Sequence, residues 1–157
     1  MRIYNQKDAE TLRERDIKLR LTDEEVTSFL LEATRRNTTV EELLEDFVAN
    51  LTGSIRNRGS DERELANEYV ERCIYSFDDN ESFLQWLSIY GDLTGVLIEL
   101  DHLVEALADD DIDEIEYAQG EIREAYGEYH NAGGMESYDK AIERLKAYQK
   151  TKARLEA

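Results

Sequence analysis

Nine carboxylates fall within the twenty residues 109–128: Asp109, Asp110, Asp111, Asp113, Glu114, Glu116, Glu121, Glu124 and Glu128, with Arg123 the only Lys or Arg among them. Carboxylates can hold a metal, move a proton or present charge, and the spacing separates these uses. Asp109, Asp111 and Asp113 are placed like the opening of a calcium loop. However, Glu114 stands where such a loop needs its turn glycine, and Gly120 stands where it needs its closing glutamate. Acid–base chemistry needs one pair set apart by its surroundings, and no pair is singled out. What remains is electrostatic. Anions repeated at helical spacing can imitate a row of phosphates to a protein built to grip nucleic acid. The plain alternative is a solvated helix face.

Other chemistry is not legible. His102 and His130 are too far apart in sequence to suggest a local metal site. The single cysteine, Cys73, sits in a helical pattern and cannot form an intrachain disulfide. There is no Ser/His/Asp or Cys/His arrangement and no glycine-rich phosphate loop. The sequence therefore predicts no catalytic residues, no cofactor and no metal. A reduced thiol, the lack of an apolar leader and the lack of a long apolar run point to the cytoplasm, with no membrane partner.

The charge is unevenly placed. Of a net −18, residues 61–139 hold 3 cations against 23 anions, a net of −20. Residues 1–60 are near balance at −2, and residues 140–157 carry +4. A field of that size steers basic partners and repels nucleic acid.

The elements that must position these charges read as mainly α with one short N-terminal strand. Residues 1–16 are polar and mixed in charge, a flexible arm. In Ile17-Lys18-Leu19-Arg20-Leu21 apolar residues alternate with cations, the pattern of a strand with one buried face. Thr22-Asp23-Glu24-Glu25 and Thr39-Val40-Glu41-Glu42 are capping boxes, each followed by an apolar helical stripe. Residues 53–60, with two glycines and two arginines, form a linker loop. An acidic all-helical domain is expected over 61–157. Ser60-Asp61-Glu62-Arg63 opens its first helix, and Asp78-Asp79-Asn80 starts an aromatic one whose Phe83, Trp86 and Tyr90 read as core. Leu93, Val96, Leu97, Leu100, Leu103, Val104 and Leu107 recur at core-facing spacing. The acidic helix from about Ile112 to His130 and the basic last helix, opposite in charge, are expected to pair as an antiparallel hairpin.

The strand and two helices of residues 17–52 resemble the ribbon-helix-helix family. That resemblance implies a homodimer whose paired strands read bases with Lys18, Arg20 and Thr22, while Thr38 and Thr39 meet a phosphate. Apart from that resemblance, Arg56, Arg58 and Arg63 flank the glycine loop and read as solvent-exposed loop charges or, otherwise, as a second anion-contacting element. The chain departs from a working DNA binder in Glu41, Glu42, Glu45 and Asp46, since no cation lies between Thr38 and Leu51 to offset them. Leu51-Thr52-Gly53-Ser54, Gly59-Ser60-Asp61-Glu62-Arg63, Glu71-Arg72-Cys73 and Ser82-Phe83-Leu84-Gln85-Trp86-Leu87 are similar to small proteins of Firmicutes phages and mobile elements, some of which look like anti-CRISPR inhibitors of type II effector nucleases. This resemblance implies a non-enzymatic inhibitor whose nine carboxylates engage a basic groove of a CRISPR effector nuclease. The alternative is a dimeric ribbon-helix-helix transcription regulator or antitoxin that binds operator DNA through its N-terminal strand.

Overall fold

The computed structural model describes residues 10–54, 56–74 and 81–157. Among them are seven helices: α1 (Asp23–Arg35), α2 (Val40–Thr52), α3 (Ser60–Ile74), α4 (Phe83–Ile89), α5 (Leu93–Ala108), α6 (Ile112–Asn131) and α7 (Tyr138–Glu156). The chain divides into two compact units, Met1–Phe77 and Asp78–Ala157. The division falls after α3.

No strand occurs among the described residues, which corrects the expectation of an N-terminal strand at 17–21. A strand is held by a ladder, and these residues have no second extended segment to pair with. Lys18 and Arg20 are exposed, and so are Ile17, Leu19 and Leu21, so the alternation does not sort the side chains into a buried and a solvated face. The expected arm at 1–16 lies outside the described residues over 1–9, and residues 10–16 are exposed.

In the first unit α1, α2 and α3 pack with hardly any interior among the described residues. Both capping boxes form as the sequence predicts: the amides of Glu25 and Glu42 donate to the hydroxyls of Thr22 and Thr39, and each glutamate carboxylate accepts from its cap's own amide. α2 packs on α1 and on α3, where Phe47 and Tyr69 meet edge to face at 6.1 Å. Yet among the described residues this unit's buried ones are only Ala33, Ala49, Ala66 and Asn50, and none of them is a large apolar side chain.

The second unit has a true core. Phe83, Leu87, Val96, Leu100, Ile122, Tyr129, Ala141 and Leu145 are buried together, drawing on α4, α5, α6 and α7. Phe83 lies 5.4 Å from Tyr129 and 5.5 Å from Tyr126 between ring centroids, and Trp86 is half-buried beside it, while Tyr90 is exposed. Asp78-Asp79-Asn80, the expected helix start, lies outside the described residues; Ser82 caps α4 by accepting from the Gln85 amide.

The tightest pairing here is α5 with α6, which corrects the expected hairpin of α6 with α7. The reason is the turn between them. Asp110 adopts a left-handed conformation (φ 53°), and the Asp111 amide donates back to Ala106 O at 3.0 Å, so α5 ends in a Schellman turn. Asp111 is at once the last residue of that turn and the N-cap of α6, leaving no slack between the helices. α7 instead reaches α6 through Tyr138, which meets Tyr126 edge to face at 5.2 Å, and reaches α5 through Gln149, whose amide donates to Leu97 O and Asp101 Oδ1.

Candidate partner-binding surface

α6 presents the carboxylates because its inner face is already occupied. Ala118, Ile122 and Tyr129 are buried, and Ile115, Ala125 and Tyr126 flank them, all within one side of the helix. The opposite side carries Asp113, Glu114, Glu116, Glu121, Glu124 and Glu128, every one exposed. Asp109, Asp110 and Asp111, also exposed, continue the row around the turn. From Asp111 to Glu128 the row runs about 25 Å along the helix axis.

None of the nine carboxylates belongs to an ion pair among the described residues. Nearby cations are used elsewhere. Arg123 lies 4.5 Å above the Tyr138 ring, a cation–π contact that joins α6 to α7, and Arg144 is paired with Glu136. Asp113 and Glu114 sit in the first turn, where the helix dipole favours anions. Glu128 sits in the last turn, where the dipole disfavours an anion, and Glu124, four residues before it, adds like-charge repulsion. Helix stability does not explain the second half of the row.

In the first unit, the residues matched to DNA contacts are answered by the protein itself. The start of α2, the expected phosphate site at Thr38 and Thr39, holds its own anion: Glu42 accepts from the Thr38 hydroxyl at 2.6 Å and from the Thr39 amide at 3.1 Å. Those two hydrogen bonds, the Thr38 hydroxyl first, hold the Glu42 carboxyl below the usual range. Thr22 is bound to Glu25 in the same way, and the backbone hydrogen bond from Thr22 lowers Glu25. Arg58 is paired with Asp46 at 2.8 Å, which raises its already high pKa, and Arg56 faces Glu45 at 3.4 Å. The Arg58 amide donates to Oδ1 of the buried Asn50, fixing the loop over α2. A cavity of about 560 Å³ lies here, lined by Arg36, Arg56 and Arg58 against Glu42, Glu45 and Asp46. Its charges are matched, so it has no strong attraction for an anion. Lys18 and Arg20 are exposed and lie apart from any such site.

Neither histidine gathers ligands around it: His102 faces Glu99 at 3.4 Å and His130 stacks on Tyr126. Sequence reasoning missed Glu136, whose carboxylate accepts from the Phe83 amide at 2.9 Å and from Arg144. Its partners are 53 and 8 residues away, so no local pattern announces it. It also missed that α5's apolar stripe outruns its cover, with Val104 and Leu107 exposed next to the aspartate turn.

No family model matches the chain, and no curated protein or solved structure matches it either. No helix among the described residues is long and apolar enough to cross a membrane.

Proposed function

We propose that this chain is a non-enzymatic inhibitor of anti-CRISPR type, which acts in the cytoplasm by presenting the acidic surface of residues 109–128 to the basic nucleic-acid groove of a type II effector nuclease. The observation that carries this reading is the row of nine exposed carboxylates without ion pairs, on a rigid helix whose own stability the later ones oppose. Charge left uncompensated in this way is available to a cationic groove, and it repels nucleic acid. The test is capture of a guide-loaded type II effector nuclease by the tagged protein, beside a gel shift with random duplex DNA. Capture without a shift is expected. The variant with Asp110, Asp113, Glu116 and Glu121 all changed to lysine should lose capture; retained capture by that variant would sink the reading.

The alternative is a regulator that binds operator DNA. Exposed Lys18 and Arg20 favour it, whereas the self-occupied α2 start and the paired Arg56 and Arg58 count against it. Changing Lys18 and Arg20 to alanine should destroy operator binding in a regulator and leave an inhibitor unaffected.

We also infer that the first unit works as a homodimer. Its support is the small interior among the described residues: nothing larger than an asparagine is buried there, while Leu30, Leu31, Leu44, Val48, Leu65 and Tyr69 are exposed. Exposed apolar side chains in this number are what a subunit interface covers. Sedimentation should give twice the mass of 18.3 kDa. Leu30→Asp with Val48→Asp should shift it to the monomer mass, and a wild-type monomer at high concentration would refute the dimer.

A further inference from the structure

We infer that the tip of the α5–α6 hairpin docks a cationic amphipathic helix of the partner, which means that the acidic surface is read there through apolar anchors as well as charge. This rests on the proposed reading of the acidic surface and names the chemistry that its partner must have. The α5 stripe is buried at Val96 and Leu100, and Gln149 of α7 bonds to α5 at Leu97 and Asp101. One turn further on the same face, Val104 and Leu107 remain 55% and 54% exposed. Ile112, the first residue of α6, is 68% exposed, and the tight turn at Asp109-Asp110-Asp111 separates it from Leu107.

These three exposed apolar residues fall within nine positions around the tight turn and stand there among Glu105, Asp109, Asp110, Asp111 and Asp113, all exposed. Imitating phosphates calls for no apolar side chain, and leaving three in water among like charges has no stabilising role. The combination fits one kind of occupant. A helix with leucine-type anchors on one face and lysine or arginine on both flanks would cover the apolar residues and pair with the anions among them. A bare cationic groove would answer only the anions. The apolar surface offered, on the order of 300 Å², is within the range of functional patches on monomers, and two helix ends fixed by hydrogen bonds hold it in place.

The experiment uses the full chain and two labelled synthetic peptides, a Lys/Leu amphipathic helix and a peptide of equal charge with glutamine for every leucine. The Lys/Leu peptide should bind about tenfold more tightly by fluorescence anisotropy, the ratio expected for burying one or two such anchors. Leu107→Ser with Ile112→Ser should remove that ratio and leave the glutamine peptide's binding unchanged, with an unchanged melting temperature showing that the fold is kept. Leu107→Met should retain the ratio. Equal binding of the two peptides, or a serine variant that behaves as wild type, would overturn the inference. Effector capture separates the two readings. A serine variant captured as well as wild type overturns the apolar anchor alone, whereas capture of the fourfold lysine variant overturns the acidic surface itself.

Discussion

The Tyr129 hydroxyl donates to Glu81 O at 2.7 Å, tying the middle of the second unit's core to the segment that leads into α4, 48 residues earlier. The same oxygen accepts from the Glu136 amide at 3.0 Å, so one phenol satisfies two backbone groups from the entrances of two helices. Tyr129 itself is fully buried. Tyr129→Phe keeps the ring packing and leaves both groups without their partner. It should destabilise the second unit by about 1–3 kcal/mol, read by urea unfolding. Tyr126→Phe removes a single bond, to Glu136 O, from a half-buried position and should cost less.

Gly134 is the close neighbour of that phenol. A Cβ built there would lie 2.3 Å from the Tyr129 ring. The ring cannot retreat, because its hydroxyl is bound on both sides and its face packs on Phe83. Gly134→Ala should therefore cost about 1–3 kcal/mol of overpacking. Gly127→Ala, on α6 with open space around the same position, should be neutral or slightly stabilising. Thermal melts of the two variants side by side test the contrast.

Much of this was readable where the cause is local. Both capping boxes follow from Thr22 with Glu25 and Thr39 with Glu42, because a hydroxyl and a carboxylate three residues apart suffice to close them. The end of α2 at Gly53 and of α6 at Gly133 follow from the residue type that takes a left-handed backbone most cheaply. The acidic face of α6 was legible for the same reason, since spacing alone fixes which side a helical residue takes. What failed depends on partners distant in sequence. The alternation of 17–21 states a preference for a strand, but no single segment supplies a ladder. The stripe of α5 continues unchanged through Leu107, yet only the length of the helices packed against it decides where burial stops. The burial of Tyr129 follows from its place in the α6 stripe, but its hydrogen bonds and those of Glu136 depend on the end of α6 meeting the starts of α4 and α7.

Asp110 bears a cost that glycine would not. Its backbone is left-handed at φ 53°, where a Cβ is disfavoured, and it stands in sequence between Asp109 and Asp111, both exposed anions. Asp110→Gly should raise stability by about 0.5–1 kcal/mol, seen as a higher melting temperature at low salt. Adding salt should narrow the gap, because screening removes the repulsive part and leaves the backbone part. A variant less stable than wild type would show that Asp110 makes a compensating contact.

Glu42 gives the first unit an acid-sensitive fastening. Its carboxyl titrates below the ordinary value of 4.5 in the folded chain because the Thr38 hydroxyl and the Thr39 amide bind the anion. As pH falls through the ordinary range, the unfolded chain takes up a proton that the folded chain still refuses, so unfolding gains relative to folding. The contribution is complete above the unfolded value and is lost as pH drops through the depressed folded value. Glu42→Gln should thus lower the protection of the α2 amides against hydrogen exchange at neutral pH, and the difference from wild type should shrink as pH falls below about 4.5. Thr39→Ala removes the other half of the box, a hydroxyl that does not titrate. It should cost about 1 kcal/mol, with a component that persists in acid. If the Glu42→Gln difference were the same at both ends of that range, the anion would not be what the helix start binds.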